Sequence, residues 1–170
     1  MNKKLLASIA LATLITTIPS ISYAEEGDLF SIGVGYFDIM DQDAQSVDFR
    51  LEYRPNSTVF AENLKPWAGL EFNTDASTWM GGGLLYDWQF QDNWYLTPSL
   101  GVGLYTKGNS DKDLDLPVQI RTQLELSYEF KDTSRVGFSF SHMSNAGLGD
   151  DNPGTEIFGI YWHLPLDSVF

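Results

Sequence analysis

Between residues 118 and 130 the chain alternates almost without interruption. Val118, Ile120, Leu124, Leu126, Tyr128 and Phe130 share one parity, and Gln119, Arg121, Gln123, Glu125, Ser127 and Glu129 share the other. A shorter run repeats the pattern, with Val47, Phe49, Leu51 and Tyr53 set against Ser46, Asp48, Arg50 and Glu52. Successive side chains of a strand point to opposite faces, so a period of two over runs this long specifies β-strands and excludes helices. It also specifies two unlike surfaces, one ionic and one apolar. A water-soluble barrel would turn the apolar face inward, and a lipocalin-like fold of that kind is the competing reading. Here the charged parity is accompanied by many glycines, which suits a narrow polar interior. The bulky apolar parity then faces lipid.

Extending the parity along the chain gives eight segments, at 28–39, 45–54, 65–74, 78–90, 94–106, 116–130, 134–145 and 155–166. Turn-forming clusters separate them: Asp41-Gln42-Asp43, Asn73-Thr74-Asp75, Gln91-Asp92-Asn93, Lys107 to Asp115, Lys131-Asp132-Thr133 and Ala146 to Gly154. The connection from Pro55 to Leu64 is longer and has a weaker turn signature. Eight is the smallest even number that closes a membrane barrel, so the expected fold is an all-β, eight-stranded antiparallel transmembrane β-barrel. The chain ends on Phe170, and outer-membrane barrels commonly end on an aromatic residue. With the mature N-terminus in the periplasm, the connections at 40–44, 74–77, 107–115 and 146–154 lie at the cell exterior.

The start of the chain agrees. Lys3 and Lys4 precede the mostly apolar run Leu5 to Ile18, and Ser22-Tyr23-Ala24 supplies small residues at the −3 and −1 positions of a cleavage site. Residues 1–24 are therefore expected to be a secretory signal peptide and 25–170 one barrel domain. The formal net charge of −13 becomes more acidic once Lys3 and Lys4 leave, which excludes nucleic acid as a partner. There is no cysteine, so an exported domain of this size needs another means of holding itself together. Closing a sheet on itself is such a means, since every backbone group is then paired.

Three residues break the lipid-facing rows. In the seventh segment Val136, Phe138 and Phe140 are followed at the same parity by His142 and Ser144. In the eighth, Glu156 heads the row Phe158, Ile160, Trp162. All three polar residues fall at the outer end of neighbouring antiparallel strands. A carboxylate facing lipid is costly, and ionisable residues at membrane depth are functional candidates. Positions i and i+2 of a strand lie about 7 Å apart on one face, which brings the His142 imidazole within reach of the Ser144 hydroxyl. Glu156, across the hairpin, can hold the other ring nitrogen. Ser144, His142 and Glu156 thus form a nucleophile, base and orienter. The bland alternative is a polar strand end that touches headgroups and water.

The stretch His142-Met-Ser144-Asn145-Ala-Gly, followed by Asn152 and Glu156, resembles the signature of the lipid A 3-O-deacylases (PagL-like). The resemblance implies an outer-membrane esterase removing the 3-O-linked acyl chain of lipid A. Ser144 would be the nucleophile, His142 the base and Glu156 its orienter. Asn145 and Asn152 would position substrate or stabilise the oxyanion, although parity turns Asn145 inward. Ile120 stands where the family tends to carry an aromatic residue. The implied partners are lipopolysaccharide of the outer leaflet and the outer membrane itself, and a homodimer is left open. No cofactor and no metal are expected. Asp111, Asp113, Asp115, Asp150 and Asp151 offer calcium-type ligands, but acidic loops are more often simply solvated. Lys107 and Lys112 are candidates to meet lipid A phosphates, His163 to join an interior network, and the five tryptophans to form interfacial girdles or to pack the core. The rival functions are a phospholipase or lipid A acyltransferase in a similar barrel, and a non-enzymatic surface barrel.

Overall fold

A computed structural model describes residues 27–166. The expected signal segment 1–24 and the terminal Phe170 lie outside the described residues. The strands are β1 (Leu29–Phe37), β2 (Ser46–Arg54), β3 (Leu64–Asn73), β4 (Thr78–Tyr86), β5 (Trp88–Gln91), β6 (Trp94–Thr106), β7 (Val118–Glu129), β8 (Arg135–Ser144) and β9 (Thr155–Pro165). All pairings are antiparallel, and the ring closes because β1 pairs with β9 and β4 with β6. β4 and β5 lie along β6 in one register, Leu85 opposite Ser99 and Trp88 opposite Leu96. They are two halves of one stave, so the barrel has eight staves, as the alternation predicts. The continuous strand expected over 78–90 is corrected at Asp87. Its N–H donates to the Asn63 carbonyl at 2.9 Å, in the register of the β3–β4 pairing and just past the last strand residue. Its carboxylate turns inward to Lys65 at 3.1 Å and Arg135 at 3.0 Å.

The two parities separate inside from outside. Arg50, Glu52, Glu71, Arg121 and Glu125 are buried in the lumen, while Phe49, Leu51, Leu124, Leu126, Phe138 and Phe158 are exposed on the outer wall. That is the reverse of a soluble barrel. The lumen is filled by paired charges. Arg50 lies 2.6 Å from Asp48 and 3.1 Å from Glu71, and Arg54 lies 2.8 Å from both Glu52 and Glu125. Arg121 bonds Glu52 and Glu71, and its guanidinium sits 4.4 Å from the Trp67 ring centre and 4.8 Å from that of Trp79. Buried charges survive only when paired and hydrogen-bonded, and this set meets that condition.

The tryptophans divide between the two roles open to them. Trp67 and Trp79 stack inside the barrel, their ring centres 5.9 Å apart. Trp88, Trp94 and Trp162 are exposed, with Tyr128 and Phe130, on the outer wall at the end opposite the 145–154 connection. That is the placement of an interfacial girdle. His163 is fully buried in the lumen, as its parity predicts.

The β4–β6 seam is lined by glycine because the two indoles occupy the space inside it. A Cβ on Gly101 would sit 2.5 Å from Trp67, and one on Gly83 would sit 1.9 Å from the Leu100 carbonyl oxygen. Backbone cannot yield as a side-chain tip does. Gly83→Ala is therefore expected to destabilise the folded barrel by at least about 3 kcal/mol, the upper end of ordinary overpacking costs. The check is the urea midpoint of the heat-modifiable form on gels; an unchanged midpoint would show that the seam does not close as described.

Candidate active site

His142 and Glu156 are direct cross-strand partners on β8 and β9, and His142 Nδ1 lies 2.8 Å from Glu156 Oε1. The parity argument thus brings these two together on the outer wall, directly above exposed Phe140 and Phe158. The imidazole is 43% exposed and the carboxylate 22%. With Nδ1 held by a carboxylate, Nε2 is the nitrogen left to exchange protons. Ser144, two residues on, has the same parity and stands opposite Ile120 of β7, so Ile120 does border the site. Ser144 is only 8% exposed. Among the described residues no hydrogen bond closes Ser144 onto His142. In resting sites such bonds are often long and tighten only around substrate.

The backbones of these residues are fixed from inside the barrel. Met143 and Ile157, the inward neighbours of His142 and Glu156, are fully buried with Phe37 and Leu114 in an apolar plug at this mouth. Burial of each such side chain contributes roughly 1.5–3 kcal/mol. Parity alone did not single out this plug, because its residues look like lapses in the polar face.

The connection between β8 and β9 turns through Ala146 and Gly147, with φ of 55° and 73°. Asn145 organises it. Its Nδ2 donates to the carbonyls of Asp151 at 2.7 Å and Leu114 at 3.3 Å, and its Oδ1 accepts the Gly147 N–H at 2.8 Å. The Asn145 N–H donates to Asn152 Oδ1 at 3.1 Å. The two asparagines do meet beside Ser144, and the Asn145 side chain, buried as parity predicts, is engaged in holding loops. Gly154, with φ of 55°, passes against the imidazole; a Cβ there would lie 2.9 Å from His142 Cε1.

On the other flank, the Ile39 N–H donates to the Glu156 carbonyl at 3.0 Å. Asp38 is fully buried and accepts the Thr155 hydroxyl at 3.1 Å, the Ala44 N–H at 3.0 Å and the Asp43 N–H at 3.1 Å. Lys112 Nζ lies 2.6 Å from Asp38 and 2.9 Å from Asp41. This corrects one expectation: Lys112 is turned inward and ion-paired, so it does not present a charge to phosphates. Lys107 stays exposed, 3.2 Å from Asp113. Asp115 accepts the Asp151 N–H at 3.2 Å. Among the described residues no group of three or more acidic, histidine or cysteine side chains could hold a metal ion.

A second Ser–His–Glu array lies in the lumen and was not legible as such from parity. Ser31 Oγ is 2.7 Å from His163 Nδ1, and His163 Nε2 is 2.8 Å from Glu125 Oε1. All three are at most 2% exposed and locked among the interior ion pairs, so no ester can approach Ser31. The array is core, and only the wall site meets lipid.

A closed eight-stave barrel with its charges inside, its apolar side chains outside and a histidine–carboxylate pair on that outer wall defines an outer-membrane β-barrel. Solved structures of like fold agree. The crystal structure of the outer membrane enzyme PagL superposes with a TM-score of 0.62 at 18% identity, covering 81% of this chain and 99% of that one. A de novo designed transmembrane β-barrel gives 0.57 at 11% identity, over 85% of this chain and 100% of the design. Neisserial surface protein A gives 0.53 at 10% identity, over 81% and 95%. The family described as lipid A 3-O-deacylase (PagL) matches residues 49–165, and the chain belongs to that family. The lipid A deacylase PagL of Bordetella bronchiseptica is 26% identical over 74 residues, a match spanning 43% of this chain and 42% of that relative's length.

The Asp38 clasp has a definite pH dependence. Burial alone would raise the Asp38 carboxyl, but Lys112, the Ala44 N–H and the Thr155 hydroxyl outweigh it, and its pKa falls below the ordinary 3.8. A carboxyl with a lowered folded pKa stabilises the fold above the ordinary value and loses that contribution as pH falls through the folded one. Hydrogen exchange at the Asp43 and Ala44 amides, corrected for intrinsic rates, should therefore stay slow at about pH 5 and quicken only below the normal carboxylate range. Loss of protection already at about pH 5 would contradict the clasp.

Proposed function

We propose that this protein is an outer-membrane esterase that hydrolyses the 3-O-linked acyl chain of lipid A, with Ser144 as nucleophile, His142 as general base and Glu156 as its orienter. The observation that carries the reading is the His142–Glu156 pair, 2.8 Å apart on a lipid-facing wall and two residues from a serine of the same parity. Family membership supplies the substrate and the position of the scissile ester. The site lies at the barrel end that carries the 145–154 connection, and with the mature N-terminus in the periplasm that end faces the outer leaflet.

The chemistry follows from the groups present. Ser144 Oγ attacks the ester carbonyl carbon while its proton passes to His142 Nε2. Glu156 holds Nδ1–H and steadies the imidazolium that forms. The tetrahedral intermediate collapses, the carbon–oxygen bond to the sugar breaks, and His142 returns the proton to the departing sugar oxygen. Water then attacks the acyl-serine and gives its proton to His142; the bond between the acyl carbon and Ser144 Oγ breaks, His142 returns the proton to Oγ, and the fatty acid leaves. Asn152 supplies an amide donor toward the oxyanion, and Asn145 positions the loop that carries it. One chain supplies every group in this scheme, so it does not call on a homodimer.

Lipid A from cells expressing the protein, examined by mass spectrometry, separates this function from its rivals. Deacylation leaves lipid A short of one acyl chain and releases a free fatty acid; an acyltransferase adds a chain, and a phospholipase leaves lipid A intact. Ser144→Ala and His142→Ala should each lower turnover by several orders of magnitude with the barrel still folded, because members of such a triad act as a unit. Glu156→Ala should be milder. Ser31→Ala should keep turnover within about twofold while costing about 1–3 kcal/mol of stability, as loss of a buried hydrogen-bond partner does. Normal turnover by folded Ser144→Ala, or abolition by Ser31→Ala, would refute the assignment.

A further inference from the structure

The connection between β6 and β7 grips the site from both sides. At Leu114 its carbonyl accepts the Asn145 side chain, beside Ser144. At Lys112 its ammonium meets Asp38, whose other contacts include the Thr155 hydroxyl next to Glu156. Glu156 is the second residue of β9, at a strand end, where a ladder normally frays. Here Thr155 is tied to Asp38 and the Glu156 carbonyl is tied to Ile39, which opposes fraying. Both ties issue from the Asp38–Ile39 corner, and Asp38 holds a left-handed φ of 59° there. A buried aspartate in that corner needs a cation, and among the described residues Lys112, itself only 7% exposed, is the one in contact with it.

The geometry points to Lys112, acting through Asp38, as a positioning residue for Glu156. This rests on the proposed role of Glu156 as orienter of the base. Lys112 touches no reacting atom. It neutralises Asp38, Asp38 fixes Thr155 and the 38–44 corner, and that corner sets where the Glu156 carboxylate meets His142. The salt bridge therefore acts on the rate of the chemical step and little on substrate binding. Displacement of a catalytic group by about 1 Å can cost on the order of a hundredfold in rate, which sets the scale of the effect.

The test uses the full-length protein refolded into lipid A-containing vesicles, with heat-modifiable migration confirming the barrel in every variant. Lys112→Met should lower kcat by about ten- to a hundredfold and leave KM within about twofold. Lys112→Arg should recover most of the rate. Lys131→Met, which removes an exposed lysine at the opposite mouth of the barrel, should change nothing. In a Glu156→Ala background Lys112→Met should cost less than about threefold, since the group it positions is gone. Where turnover in that background is too slow, the rate of Ser144 labelling by a fluorophosphonate gives the same comparison. Wild-type kcat in Lys112→Met, or an equal loss in both backgrounds, would overturn the proposal while leaving the esterase reading intact. Normal turnover by Glu156→Ala would instead remove the orienter, and this proposal with it.

Discussion

A charged side chain on the lipid-facing wall of a barrel costs energy that water cannot return, and the rest of this structure follows from that constraint. Every strand has to send its charges into the lumen, where they survive only as pairs. Arg50, Arg54 and Arg121 meet that demand against Asp48, Glu52, Glu71 and Glu125. Glycine clears the wall beside Trp67 and Trp79, so that both indoles fit inside with the ion pairs. Closure is the other half of the constraint, because an open edge in hydrocarbon would leave backbone groups unpaired. The β1–β9 and β4–β6 pairings remove both edges.

Against this background His142 and Glu156 stand out by breaking the rule on the outer face. They do so at the mouth, partly exposed, where the penalty is smaller than at mid-membrane. The lumen holds the same three residue types in Ser31, His163 and Glu125, with the same 2.8 Å histidine–glutamate contact and a closed serine–histidine contact of 2.7 Å. Environment separates the two arrays. The inner one is sealed by ion pairs and contributes to packing; the outer one lies open to lipid. Residue types and distances do not separate the two arrays; their access to lipid does.

Much of this was legible in the sequence because a strand of period two writes its two faces directly into parity. The run 118–130 and the rows ending in His142, Ser144 and Glu156 gave the barrel, its inside and outside, and the location of the candidate site. What parity could not give were contacts made by connections. The break at Asp87 falls where its partner strand gives way to the poorly marked 55–63 connection, and its carboxylate is held by Lys65 and Arg135. Lys112 looked like a surface lysine because nothing local shows that Asp38, far away in sequence, waits beneath it. Met143 and Ile157 looked like lapses in the polar face, yet they form the apolar plug that anchors the site from within. Asn145 was correctly turned inward, but its double grip on Asp151 and Leu114 depends on how two loops fold over one mouth.

Strands fix a face and a register, and they do so poorly at their last residues. The His142–Glu156 pair sits on such residues, so register alone leaves its separation free to breathe. Bonds from outside the hairpin remove that freedom: Ile39 to the Glu156 backbone, Asp38 to Thr155, and Leu114 to Asn145. Two braces come from the β1–β2 connection and one from the β6–β7 connection, and each is buried or partly buried, which shields it from the solvent competition that weakens surface contacts. The His142–Glu156 pair is thus carried by strands and braced by the connections around it. A site held in that way keeps its precision while its outer surface, the face that must admit a lipid, stays open.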